Sequence, residues 1–197
     1  MAGTTPDHIK KVLSQRVRVT LADETLMPAA VMVLLYPKNG EYCVLLNLRS
    51  ELVEHHKGEI SFPGGARDPA DRDFLETALR ETEEEMGIRR ADITVLGQLD
   101  DVVTRSRFGV RVYCGTIPYP YPFAPSEIEI AAVLEVPLST LYNPANIRVE
   151  TRWSNDEFST AYSYTYAEHL VFGATAKILE QFLEVLRDHW EKGGISI

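Results

Sequence analysis

An unbroken apolar run over residues 29–36, the turn Pro37-Lys38-Asn39-Gly40 and a second apolar run over residues 42–46 require a β-hairpin early in the chain. Asn-Gly tolerates the positive φ that such a tight turn needs. Further strands are expected at residues 93–99, 110–117 and 128–136, with weaker ones at 147–153 and 162–166. A helix is expected over residues 7–16, with Asp7 as its cap and Ile9, Val12 and Leu13 on one face. A second should run over 73–86 and stop at Gly87, a natural residue just past a helix end. The last should run over 174–190, where Ile178, Phe182, Val185 and Leu186 share one apolar face.

Residues 49–62 are polar and should form a loop, and Pro63-Gly64-Gly65 should break any regular element. Residues 119–125 are proline-rich and fit a surface connection better than a polyproline recognition motif. Residues 137–141 should start a short turn or helix. No repeat and no linker interrupts the chain. Its 197 residues suit one domain with a sizeable core. Strands mixed with long helices predict an α/β fold, with a mixed sheet in layers of the α+β kind.

Composition removes several functions. The formal charge of -9 disfavours long nucleic acids and anionic membranes as partners. No apolar run approaches the roughly 20 residues that span a bilayer. The first residues lack the apolar core and cleavage site of a signal peptide. Cys43 and Cys114 lie in apolar, strand-like runs and should be buried, reduced thiols. These features predict a soluble, cytoplasmic protein. An acidic enzyme for small phosphate esters would need cations to screen its site, a first pointer to a metal.

The chemistry concentrates in Arg80-Glu81-Thr82-Glu83-Glu84-Glu85-Met86-Gly87-Ile88. On a helical wheel with Glu81 at zero, Glu85 lies at about 40° and Glu84 at about −60°. Leu79, Thr82 and Met86 fall near about 100–160°, while Glu83 points away. Three carboxylates thus share a face beside an apolar stripe, and their repulsion destabilises a bare helix. A hard divalent cation, Mg²⁺ or Mn²⁺, removes that cost through carboxylate oxygens. A run of glutamates alone reads as a solvated acidic face. The preceding Phe62-Pro63-Gly64-Gly65 changes the reading, because a glycine turn lets backbone approach a ligand closely.

In these residues the chain resembles the Nudix hydrolase family. Gly65, Arg80, Glu81, Glu84, Glu85, Gly87 and Ile88 match the family box. Fourteen residues (66 to 79) separate Gly65 from Arg80, one more than in the general box. Arg72 stands where the first box glutamate is usual, flanked by Asp71 and Asp73, and Thr82 replaces an aliphatic residue. The longer spacing, with Gly64, Gly65, Asp68, Pro69 and Asp71, looks like the coenzyme A diphosphatase branch. Upstream, Leu45, Leu46, Arg49, Ser50, Gly58, Phe62 and Pro63 match that branch, while Asn47 replaces a threonine and Glu54 an arginine. Glu135-Val136-Pro137-Leu138 and Phe172-Gly173-Ala174-Thr175-Ala176 extend the likeness over residues 27–187.

The resemblance implies a Nudix-type α/β/α sandwich built as one domain over 1–197. Residues 1–24 would be an N-terminal helical extension and 174–192 a C-terminal helix. It implies hydrolysis of a nucleoside diphosphate joined to a further group, with Mg²⁺ or Mn²⁺ as cofactor. Glu81, Glu84, Glu85 and the Gly65 carbonyl would hold the metal. Glu84 or Glu81 would act as base, and Arg80 would orient the glutamates. Arg49, Gly64 and Phe62 would contact substrate. The substrate would be coenzyme A or its acyl derivatives, although Glu54 should repel that substrate's 3′-phosphate. ADP-ribose, NADH or a nucleoside triphosphate is the alternative, and a non-catalytic nucleotide-sensing module ranks below both. Glu127 and Glu129 are base candidates from a later loop, with a surface reading preferred. Lys57, Arg105, Arg107 and Arg111 read as surface cations, and His55 and His56 as loop histidines. Trp153 and Trp190 should be core or interface residues. A homodimer is compatible with the sequence.

Overall fold

The computed structural model of the protein describes residues 5–52, 57–154 and 157–191. Its centre is the expected hairpin: β1 (Met27–Lys38) and β2 (Glu41–Arg49) pair antiparallel, with Lys38 opposite Glu41. The turn residues Asn39 and Gly40 have φ of 52° and 87°, as a primed two-residue turn demands. On its other edge β1 runs parallel to β7 (Phe108–Thr116), so the sheet is mixed. β5 (Thr94–Gln98) and the two-residue β6 (Val102–Val103) line β7, and β8 (Ile130–Pro137) lines β2.

β1 and β2 pair only near their turn and then separate. Beyond Leu35 and Val44, each loses its partner on the inner edge. Residues 59–66 fill the wedge. β3 (Ile60–Ser61) pairs with Asn47 and Leu48, and β4 (Gly64–Ala66) pairs with residues 29–31 of β1. Met32 N–H donates to the Pro63 carbonyl and Arg49 N–H to the Glu59 carbonyl, at 2.9 Å each. Backbone groups of two buried strands must find partners. That requirement corrects two expectations, because the stretch around Pro63-Gly64-Gly65 becomes strand and the preceding loop ends in β3.

The sheet is buried on both faces. Val33, Leu35, Val44, Leu46 and Val112 join Ile9 and Leu13 of α1 (Thr5–Gln15) and Ile178, Phe182 and Leu186 of α4 (Gly173–Glu191). Met32, Leu34, Tyr36 and Leu45 face the other way, onto Ala78 and Met86 of α2 (Phe74–Met86). Alternate residues of β1 therefore serve two cores, which explains its unbroken apolar run. A short α3 (Leu138–Tyr142) follows β8. A second sheet of β9 (Ile147–Ser154), β10 (Glu157–Tyr166) and β11 (His169–Val171) packs beside α4 through Tyr164 and Val171.

Two smaller expectations change. α1 begins at Thr5, so Asp7 lies within its first turn and is not its cap. The proline-rich connection does not lie loosely on the surface. Tyr119 stacks on Tyr36 at 5.3 Å, and Tyr121 and Phe123 also pack against the second core. Trp153, expected in the core or at an interface, is exposed in the chain. The side chain of Trp190 lies outside the described residues, as do Glu54, His55 and His56.

α2 is held at both ends. The Asp73 side chain accepts a bond from Glu76 N–H at 2.9 Å, and Gly87 closes the helix with φ 68°. A Cβ on Gly87 would lie 2.8 Å from Ala124. Gly87→Ala combines left-handed strain with that contact, and should lower stability by about 1–2 kcal/mol or more. Urea denaturation followed by circular dichroism reads the loss; an unchanged midpoint would contradict the cap.

Candidate active site

α2 lies across the wedge, so its polar face meets the glycine bend. Glu85 reaches deepest. Its Oε2 accepts Gly64 N–H at 3.0 Å and Asn47 Nδ2 at 3.1 Å, and its Oε1 accepts Arg49 Nη1 at 3.2 Å. Burial pushes its carboxyl up to about 7, against the opposing pull of the Gly64 amide and Arg49. Glu81 sits one turn earlier, against Gly65. A Cβ on Gly65 would come within 2.5 Å of the Glu81 carboxylate carbon, so only glycine leaves that space. Burial also raises the Glu81 carboxyl, and Arg80 opposes the rise. Glu84 stands at the rim. The side chains of Glu84, Glu81 and Glu85 are 55%, 17% and 2% exposed, a graded series from solvent to core.

Arg80 binds this series together. Its guanidinium donates to Glu81 Oε1 at 2.7 Å, Glu84 Oε2 at 2.9 Å and the Ala66 carbonyl at 3.2 Å. It also grips both oxygens of Asp71, at 2.9 and 3.0 Å. Asp71 is buried and accepts two more bonds, from Thr77 and from the Asp68 amide. Arg80 holds the Asp71 carboxyl well below the usual carboxylate range. Arg72, at the position of the usual first glutamate, points outward and pairs with Glu76. Thr82 fits its buried place by donating its hydroxyl to the Ala78 carbonyl at 2.7 Å. Glu83 faces away and pairs with Arg90.

Some expected contacts are corrected. The Phe62 ring is buried in the core shared with α4, so it cannot touch a substrate. The Gly64 amide is committed to Glu85 and is not a free donor. Arg49 is tied to Glu85, with part of its guanidinium still at the surface. Arg107 donates to Thr25, and Arg111 pairs with Asp101 and donates to the Leu21 carbonyl at 3.2 Å. Lys57, Arg105 and Glu127 are exposed. The mutual repulsion of the glutamates is already offset by Arg80 and Arg49. Among the described residues, no three His, Cys, Asp or Glu side chains converge on one point. Arg80 stands between Glu81 and Glu84, and Glu85 is drawn toward the bend.

Sequence reasoning gives no site role to Asn47 or Asp71, and names Glu129 only as a base candidate with a surface reading preferred. Asn47 bridges Glu85 to the hydroxyl of Ser61. Asp71 anchors Arg80. Glu129 lies close enough for its charge to raise the carboxyls of both Glu81 and Glu85. It is placed there by the segment that caps α2, where Ala124 and Ser126 amides donate to the Met86 and Glu85 carbonyls. Asn47 and Asp71 stood within matched motifs. Nothing in the local sequence singles out Glu129 from Glu127.

Comparison with known proteins identifies the family. The NUDIX domain family model matches residues 26–129. The mitochondrial coenzyme A diphosphatase NUDT8 of Mus musculus is 36% identical over 202 residues, covering 98% of this chain and 96% of the relative. The Nudix hydrolase NudL of Photorhabdus laumondii is 33% identical over 141 residues, covering 72% and 75%. Among solved structures, a MutT/nudix family protein from Enterococcus faecalis covers 94% of this chain and 70% of its own, with TM-score 0.53 and 14% identity. A C. elegans Ap4A hydrolase covers 56% and 80%, with TM-score 0.50 and 21% identity. With a glycine bend seated on the carboxylates of a capped helix and relatives of this kind, the chain belongs to the Nudix hydrolase family and is a pyrophosphohydrolase acting on small nucleotide derivatives.

Proposed function

We propose that this pyrophosphohydrolase cleaves the diphosphate of coenzyme A or its acyl derivatives, using Mg²⁺ or Mn²⁺. The observation that carries the site is the docking of Gly64 and Gly65 onto Glu85 and Glu81. The likeness to a coenzyme A diphosphatase over nearly the full chain supports the substrate. Glu54 in place of an arginine favours a second reading, a substrate without the 3′-phosphate such as ADP-ribose or NADH. The chain would work as one Nudix domain, since α1 and α4 share a core with the sheet. A cytoplasmic location agrees with two free, buried cysteines.

The donor chemistry suits a hard divalent cation, and Glu81 and Glu84 would have to turn from Arg80 and converge to hold one. The donors are all oxygens, and Asp71, Glu81, Glu84, Glu85 and Glu129 outnumber Arg49 and Arg80. Glu81, Glu84, Glu85 and the Gly65 carbonyl would hold it. When bound, such an ion neutralises diphosphate oxygens and makes a nearby water more acidic. The rest falls to the chain's own groups. Glu84, the most exposed carboxylate, takes the proton of the attacking water at Oε1 or Oε2, with Glu81 the alternative. Arg80 fixes both glutamates, and Asp71 fixes Arg80 by a two-pronged charge-assisted bond. Glu129 keeps the negative field around the site strong.

Three outcomes are expected. Glu84→Gln and Glu81→Gln should each lower kcat by about 10²-fold or more while circular dichroism stays unchanged; full turnover in both variants would remove the assignment. In a hydrolysis panel with Mg²⁺ and Mn²⁺ in parallel, coenzyme A should be cut to 3′-phosphoadenosine 5′-phosphate and 4′-phosphopantetheine. Cleavage of ADP-ribose or NADH with coenzyme A untouched would instead select the second reading. Asp71→Asn should weaken the fold by about 1.5–3 kcal/mol near neutral pH. The Asp71 carboxyl is lowered from 3.8 by folding, so its contribution is complete above pH 3.8 and is lost as the pH falls below it. The gap in thermal midpoint between wild type and Asp71→Asn should therefore close in acid.

A further inference from the structure

β2 carries one buried residue that breaks its apolar pattern. Leu45 faces α2 and packs in the core there, whereas Leu46 faces α4. Side chains alternate along a strand, so Asn47 shares the face of Leu45. It is fully buried. A buried amide costs stability unless its polar atoms are paired. Both ends of this one are paired, and the pairing has a direction. Asn47 lies directly opposite Ser61 across β2 and β3, so the two side chains project to one side. The Asn47 Nδ2 donates to Glu85 Oε2 at 3.1 Å, and the Asn47 Oδ1 accepts from the Ser61 hydroxyl at 2.5 Å. An ionised carboxylate only accepts. The amino end of the amide must therefore face Glu85, its carbonyl end must face Ser61, and the hydroxyl must donate.

We propose that Asn47 is a positioning residue for the hydrolysis: held by Ser61, it pins one carboxylate oxygen of Glu85 in the wedge and leaves the other free for a cation. This role rests on the cation-binding reading of the site. The terminal torsion of a glutamate is broad, so its donors, and not a rotamer well, set the plane of the carboxylate. Here the donors divide unequally. Gly64 N–H and Asn47 Nδ2 both bond Oε2, at 3.0 and 3.1 Å. Among the described residues Oε1 takes Arg49 Nη1, at 3.2 Å. Each carboxylate oxygen offers about two acceptor positions. Oε2 is thus filled, and Oε1 keeps a position open.

Two donors on one oxygen define its place, and the second oxygen follows from it. With Asn47 gone, Gly64 and Arg49 would hold one oxygen each, and the plane could tilt between them. A donor that served only to satisfy a buried carboxylate would do so equally well on either oxygen. Asn47 instead bonds the oxygen that Gly64 already holds. Ser61 completes the device, because an amide without a partner for its carbonyl end could turn away from Glu85. Residues behind a ligand commonly fix its orientation in this way. The inference is independent of which diphosphate the enzyme cleaves.

Electron paramagnetic resonance of Mn²⁺, titrated into the full chain without substrate, tests it. Asn47→Leu, close in size but without the amide, should raise the Mn²⁺ dissociation constant by about 10-fold or more. Ser61→Ala should raise it by a smaller factor. Leu48→Ala, on the opposite face of β2, should lower the thermal midpoint and leave the constant at the wild-type value. An Asn47→Leu protein that is less stable yet binds Mn²⁺ as wild type does overturns the proposal, since Asn47 would then serve the fold alone. So does Leu48→Ala weakening Mn²⁺ as much as Asn47→Leu, because the loss would follow stability and not the amide. If Asn47→Leu does not fold, Ser61→Ala decides, and wild-type affinity there overturns the proposal. Wild type that binds no Mn²⁺ removes the cation-binding reading itself, and this role with it.

Discussion

The separation of β1 from β2 is the constraint on which the site depends. Two central strands that part beyond Leu35 and Val44 leave backbone donors and acceptors facing an interior gap. Burying such groups unpaired costs about 1–3 kcal/mol each, so the chain must return to fill the wedge. Residues 59–66 do so, pairing with β2 and then with β1. The crossing from one strand to the other brings the backbone close to Val31. At Gly64 a Cβ would lie 2.4 Å from the Ala30 carbonyl, and φ is 154°, so glycine is required there. The Gly64 amide is then left pointing at α2, and the Glu85 carboxylate accepts it.

That single bond explains the electrostatic order of the helix face. Glu85 is desolvated because it reaches the wedge, and desolvation raises its carboxyl to about 7. Glu81 meets the bare Cα of Gly65 one turn back, and Glu84 remains in solvent. Three neighbouring glutamates thus have three different environments, imposed by distance from one glycine bend. Asn47 adds to this by linking the buried carboxylate to β2 and β3 at once. A substitution at Asn47 would therefore remove a direct bond to Glu85, without contacting the rim.

Local patterns made much of this readable in the sequence. The Asn39-Gly40 turn, the Gly87 cap and the apolar face of α4 each depend on neighbours within a turn or two, and each lies where expected. The wheel also placed Glu81, Glu84 and Glu85 together and Glu83 apart. What escaped depends on distant partners. β3 and β4 exist because other strands diverge, β11 pairs with only the end of β10, and Glu129 enters the site because its segment caps α2. Phe62 misled for the same reason: its place in a motif says nothing about which face of the sheet its ring takes. Trp153 reads as a core or interface residue, and only the register with Phe158 shows it on an open face.

Asp71 sets how the positive charge of Arg80 is shared. A guanidinium has five donors in a fixed plane. Here two serve Asp71 and one serves the Ala66 carbonyl, while Nη1 serves Glu81 and Glu84. Without Asp71 the guanidinium would be free to turn fully toward the glutamates and neutralise them. With Asp71 it is held edge-on, bracing both carboxylates while much of its charge is already balanced by a buried partner. The glutamates keep their order and retain negative charge, the state an attacking water and a cation both need. An aspartate of the loop before α2 performs that task, while Arg72 beside it points outward to Glu76.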